Sequence, residues 1–349
     1  MANVQKQFEE FDGKIRLGRF DENATLREKR DIIRRKLDRK LPDVFKDHGE
    51  ECPEYFYRDQ GSYDVGTGVK PLDSDYDIDQ GLYFEVSTGE WDPVILKKRV
   101  WKALDGHTDE VRIRRPCVTV QYHEAGEPVY HVDIAVYANA NGDGKARLAV
   151  GRESTPTEKR KWELSHPKAL KEKIRERFPD ADDRKQFRRA VRALKRWKDK
   201  KFSSDGNAAP LGIGLTVLVY DDLQATYSDI FARTPDDLQT LRKLVEAVLG
   251  RFKPVWDAEE EKLMRRLTAT LPVEPFNDVF EQMSNKQMET FEDKLKRLKE
   301  ALDFASDAVD PHDACKELRK QFGDDFPVPE KQETARYHAP AIATSASSA

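Results

Sequence analysis

An α+β fold in two lobes is what this sequence predicts: a mixed sheet with helices up to about residue 155, then a helical lobe. Three observations carry that expectation. Strand-like runs punctuated by Pro and Gly fill the first half. Two of them, 117–122 (CVTVQY) and 129–137 (VYHVDIAVY), flank the turn-forming stretch HEAGEP. From Thr157 onward the apolar residues recur at helical spacing.

The elements follow in order. Residues 25–41 (TLREKRDIIRRKLDRKL) carry Ile32, Ile33 and Leu37 and read as a long amphipathic helix. Residues 54–60 (EYFYRDQ) are aromatic-rich and strand-like, and 76–86 (YDIDQGLYFEV) follow a turn. The runs 117–122 and 129–137 should pair as a hairpin. In 184–202, Phe187, Val191, Leu194 and Trp197 fall at i, i+4, i+7 and i+10, one stripe of a helix. Residues 211–220 (LGIGLTVLVY) are apolar on all sides, and a buried helix or a buried strand fits equally. A helix is expected over 235–252, with Thr234 as N-cap and Pro235 at its first position. Two more should cover 258–271 and 285–305, and the small-residue-rich stretch 337–349 reads as flexible. The domain division is then a sheet-bearing lobe with its long helix over 1–158, a helical lobe over 159–330, and a tail over 331–349.

Composition permits such a fold. Of 349 residues, 38% are hydrophobic and 36% charged, which is polar but foldable. No stretch approaches the roughly 18 uninterrupted apolar residues of a membrane helix, and residues 1–6 lack the apolar region of a secretion signal. Cys52, Cys117 and Cys315 lie far apart without metal-ligand spacing and read as reduced thiols of a cytoplasmic protein. The net charge of −4 conceals an asymmetry: residues 159–202 hold 18 Lys or Arg against 7 Asp or Glu, so the remainder carries −15. Such a block either meets a polyanion, a nucleoside triphosphate or a nucleic acid, or is a solvated helical face.

The chemistry sits in the strands. Asp77-Ile78-Asp79 projects two carboxylates from one strand face while Ile78 turns to the core. Carboxylates held that close repel unless a divalent cation neutralises them. Gly61-Ser62 closes the preceding run, where Gly permits close backbone approach and Ser offers a hydroxyl beside free N–H groups, suited to a triphosphate. Asp133 lies opposite the apolar face made by Val132, Ile134 and Val136, and beside the paired acids it would complete a two-metal site. His131 shares the face of Asp133 and reads as a supporting or solvent-facing residue.

On these residues the sequence resembles a known family. GSYDVGTGVKPLDSDYDIDQGLYF followed by CVTVQYHEAGEPVYHVDIAVYA is similar to the bacterial CD-NTases, the cGAS/DncV-like nucleotidyltransferases of CBASS anti-phage systems. Gly61, Ser62, Asp77, Asp79 and Asp133 match the family's motif in order, and WELSHPKALKE, LKRWKDKKF and LPVEPFNDVFEQMSNKQMETFEDKL look like its helical lobe. The resemblance implies a DNA polymerase β-like nucleotidyltransferase domain, with Asp77, Asp79 and Asp133 as catalytic metal ligands for Mg²⁺ or Mn²⁺. It implies synthesis of a cyclic di- or trinucleotide second messenger from NTPs. It also implies a helical-lobe lysine on the donor triphosphate. Lys195 is the match, while a helical wheel sets Lys198 nearer the centre of the apolar stripe. Gly212 stands where many relatives have a phosphate-binding Ser. No nucleic acid is needed for a cyclase, and no membrane is involved. The tail, ending at Ala349, would suit an E1/E2-like ligase that conjugates the enzyme through its C-terminus. Two alternatives stand beside this reading: an RNA-tailing nucleotidyltransferase on the same scaffold, and a catalytically dead sensor of NTPs or RNA.

Overall fold

The computed structural model describes residues 2–17, 22–72, 76–203, 208–258 and 260–331, with the backbone alone for 22–26. Beyond residue 331 the expected tail lies outside the described residues. The chain opens with α1 (Gln5–Ile15) and α2 (Glu22–Asp47), then β1 (Tyr55–Asp59), a short α3 (Gly61–Val65) and β2 (Tyr76–Phe84). Next come α4 (Pro93–Leu104), β3 (Glu110–Ile113), β4 (Val118–Glu124), β5 (Glu127–Ala138), β6 (Arg147–Val150) and β7 (Lys161–Leu164). The helical half holds α5 (Pro167–Arg177), α6 (Ala181–Lys201), α7 (Gly212–Asp222), β8 (Tyr227–Asp229), β9 (Thr234–Pro235) and α8 (Asp237–Gly250). It continues with β10 (Lys253–Asp257), β11 (Lys262–Arg266), α9 (Asn285–Asp307) and α10 (Pro311–Phe322). Among the described residues no helix is long and apolar enough to cross a membrane.

The sheet runs β1-β2-β5-β4-β3, with β6 on β5 and β7 on β6. It is mixed because β2 and β5 pair in parallel while their other neighbours are antiparallel. A parallel pair needs a long crossover, and α4, β3 and β4 supply it. The β4–β5 hairpin forms as expected, turning on Ala125 (φ 52°) and Gly126 (φ 88°), the two positive φ values that favour a tight hairpin. One face of the sheet buries Ile78, Leu82, Val120, Val132, Ile134 and Val136 against α2 and α4. Ile33, Leu37, Leu41 and Phe45 form the facing stripe of α2, which runs further than the expected 25–41.

Three expectations need correction. The helix expected over 235–252 begins two residues later, capped by Asp236 through Gln239 N, while Thr234 and Pro235 pair with β8. Residues 258–271 form no helix. β10 and β11 pair as a hairpin there, because Met264 is buried on one face of it and Glu261 adopts φ 49° in the turn. The 1–158 division also fails at its start. Val4, Phe8, Phe11 and Ile15 of α1 belong to the helical core, where the Phe8 and Phe11 rings lie 5.1 Å from Phe326. The apolar stretch 211–220 resolves as helix α7.

Candidate active site

Register brings the acids together. Along the parallel pair, Asp77 sits beside His131 and Asp79 beside Asp133, with Ile78 and Val132 turned to the core between them. Asp77, His131 and Asp133 each offer a donor atom within 4.8 Å of the others, a group that can hold a metal ion. The His131 Nε2–Asp77 Oδ1 distance is 3.3 Å. The Thr119 hydroxyl, across β4, donates to Asp133 Oδ1 at 2.5 Å. Asp79 stands apart from that trio and leans on the Gly61 backbone so closely that any Cβ at Gly61 would collide with its carboxylate. Gly61 also has φ +72°, so glycine is required there on two counts.

Hemmed in by protein, Asp79 is pushed up to about 7, first by loss of water and then by the Asp77 and Asp133 charges. His131 and Lys195 pull the other way. Clustered carboxylate oxygens with one imidazole and little positive charge fit a hard divalent cation, which would relieve that repulsion.

Asp77 and Asp79 line a cleft of about 1000 Å³ between the sheet and the helical half. Gly61 and Ser62 lie on the sheet side, and Lys195, Gly212 and Ile213 on the other. Lys195 is 9% exposed, and its Nζ donates to Thr67 O at 3.1 Å. Burial, then the neighbouring Lys198, lower it to about 8, against the pull of Asp199, Asp79 and Asp77. Lys198 does not line the cleft and pairs with Asp199 at 3.0 Å. Gly212 starts α7, and Leu211 gives that helix no side-chain cap, so its first-turn N–H groups are open at the cleft. Sequence reasoning did not single out Thr119, nor Arg115 and Lys161, which line the cleft and share Glu163 at 2.8 and 2.9 Å.

Part of the basic block is used internally, with Arg192, Lys195 and Arg196 buried. Arg189 pairs with Asp237 at 2.6 Å, Arg192 with Asp12 at 2.6 Å, and Arg177 donates to Tyr220 O at 3.0 Å. These cations tie helices together, a use distinct from both a polyanion site and a solvated face.

Residues 55–137 match the family model for the nucleotidyltransferase domain of the cyclic GMP-AMP synthase DncV-like proteins. A cyclic GMP-AMP synthase of Escherichia albertii is 29% identical over 179 residues, which span 48% of this chain and 37% of that relative's length. Two solved structures share the fold. The Vibrio cholerae DncV cyclic AMP-GMP synthase has TM-score 0.67 and 18% identity, covering 94% of this chain and 98% of that one. The Bradyrhizobium diazoefficiens CD-NTase CdnG in complex with GTP has TM-score 0.66 and 16% identity, covering 92% and 96%. Residues 55–137 thus carry a DncV-like nucleotidyltransferase domain, in a chain that has the fold of the bacterial CD-NTase structures.

Proposed function

We propose that this chain joins NTPs into a cyclic di- or trinucleotide by two-metal nucleotidyl transfer. The observation that carries the proposal is the β2–β5 register, which sets Asp77 beside His131 and Asp79 beside Asp133 at a cleft lined by Asp77, Asp79 and Lys195. In the transfer, a ribose hydroxyl bonds to the α-phosphorus and the bond to pyrophosphate breaks. Asp77, Asp79 and Asp133 would hold Mg²⁺ or Mn²⁺, with the His131 imidazole beside Asp77. When bound, such ions acidify an attacking hydroxyl and neutralise the leaving pyrophosphate. Gly61 and Ser62 offer backbone N–H and hydroxyl groups to the triphosphate, and the Lys195 ammonium offers charge from the opposite wall. First-turn N–H groups at Gly212 take the place of the absent serine hydroxyl.

Related structures support NTPs as substrates, since DncV was solved with GTP and with the linear intermediate pppA(3′,5′)pG. Family resemblance supports a cytoplasmic role in anti-phage signalling, and conjugation of the tail by an E1/E2-like ligase. Incubating the purified protein with each NTP combination and Mg²⁺ or Mn²⁺, followed by mass spectrometry, tests the function. A phosphatase-resistant cyclic product is the expected result. Extension of an added RNA would favour a tailing enzyme, and no product at all would favour a sensor.

A further inference from the structure

Four consecutive residues just past Gly61-Ser62 are each held by a cation of the helical half. Lys171 of α5 pairs with the Asp64 carboxylate. Arg188 Nε donates to Val65 O at 3.2 Å, Arg192 Nη1 to Gly66 O at 2.6 Å, and Lys195 Nζ to Thr67 O at 3.1 Å. On α6 these last three stand at i, i+4 and i+7, a single helical face. One face of α6 thus meets three successive backbone carbonyls in order.

The carbonyls run from Val65, the last residue of α3, through its C-cap Gly66 to Thr67, where the chain leaving the helix has acceptors to offer. Gly66 takes the left-handed conformation at φ 78° and returns its N–H to Ser62 O and Tyr63 O. The Thr67 N–H also donates to Ser62 O, at 2.8 Å. Ser62 is therefore tied through its own carbonyl to the turn that α6 grips. Arg192 is itself fixed, with Nε and Nη2 on the two Asp12 carboxylate oxygens at 2.6 and 2.9 Å. α1, α6 and the turn after α3 form one connected unit.

We infer that Arg188 and Arg192 are positioning residues for nucleotide binding: by clamping residues 65–66 onto α6 they set the separation of Ser62 from the Lys195 ammonium. The inference rests on the nucleotidyltransferase reading of the cleft. Neither arginine is needed for the chemical step, so their loss should weaken nucleotide binding more than turnover. Arg188→Met keeps the aliphatic length and removes the carbonyl contact, and Arg192→Lys keeps one of three contacts.

The test measures ATP binding by titration calorimetry with Mg²⁺, together with KM, kcat and the melting temperature of each variant. Arg188→Met should raise the ATP Kd and KM about tenfold, the scale of one lost charge-assisted contact. Its kcat should stay within about threefold and its melting point near the wild type. Arg192→Met should do more, with Arg192→Lys between it and the wild type. If Arg192→Met proves unfolded, Arg188→Met decides alone. Unchanged ATP affinity in Arg188→Met overturns the inference, as does a fall in kcat at constant KM. Wild type that binds ATP but makes no product defeats the synthase reading while leaving this comparison of Kd values intact. Wild type that fails to bind ATP sinks both.

Discussion

Asp77 and Asp79 repel each other across one strand face, and removing that repulsion should separate activity from stability. Asp77→Asn with Asp79→Asn is expected to abolish synthesis while leaving the melting temperature of the metal-free protein equal or higher. Millimolar Mg²⁺ should raise the melting temperature of the wild type and not of the double variant, because an ion that binds only the folded state stabilises it. Near-normal product from the double variant would remove the acids from the mechanism. The acids were legible because a strand's period of two puts Asp77 and Asp79 on one face without any knowledge of neighbours. Thr119 was not. Counting back from the Ala125-Gly126 turn pairs it with Val132, and a bulge after Tyr122 shifts the register by one and sets it opposite Asp133. Which lysine faces the cleft was equally hidden, since the choice between Lys195 and Lys198 depends on what packs against α6 and not on the wheel alone.

At the level of the element, α4 depends on a buried cation. The Lys97 side chain is fully buried, and its ammonium donates to Arg114 O at 3.0 Å, Arg115 O at 2.8 Å and Gly151 O. Burial lowers it to about 8, so it still carries its proton at neutral pH. Lys97→Met takes a donor from three carbonyls, of which Arg115 O keeps the Gly151 N–H at 3.0 Å, and should cost about 2–4 kcal/mol, read as a lower urea midpoint at constant slope. A variant as stable as the wild type would mean that the burial of the charge had offset those bonds. The signals for α4 itself, Asp92 as cap and Pro93 at the first position, stand in the sequence, although they were not read as a helix start. The stretch at 258–271 misled for the opposite reason. Its Glu, Lys and Leu favour a helix locally, but the hairpin buries Met264 and leaves Trp256 and Leu263 exposed on the facing strands. Local propensity lost to tertiary packing.

Over the whole molecule, buried acids that are neutral when protonated set a limit at alkaline pH. Burial raises the phenols of Tyr55, Tyr57, Tyr122 and Tyr137, and pushes the Cys117 and Cys315 thiols up to about 12 from 9.0. The unfolded chain ionises first, so it binds fewer protons than the native one, and stability falls as pH rises. The loss should begin near pH 9 with the thiols, about 1.4 kcal/mol per pH unit for each, and steepen as the phenols join. Lys97 and Lys195, both lowered to about 8, act in the opposite direction between about 8 and 10.5, and the lowered Lys36 and Lys201 add to them. The urea midpoint should be lower at pH 10.5 than at pH 9, and equal midpoints would contradict the burial of these side chains. The seating of α1 in the helical core bears on how the chain is made. Phe8 and Phe11 leave the ribosome about 300 residues ahead of Phe322 and Phe326, the rings they pack on. At elongation rates of about 5–20 residues per second, that is a wait of about 15–60 s. The sheet, whose strands are complete by Leu164, can fold within that interval. α1 is thus seated long after it is made, and until then its aromatic face is open to chaperones and to other nascent chains.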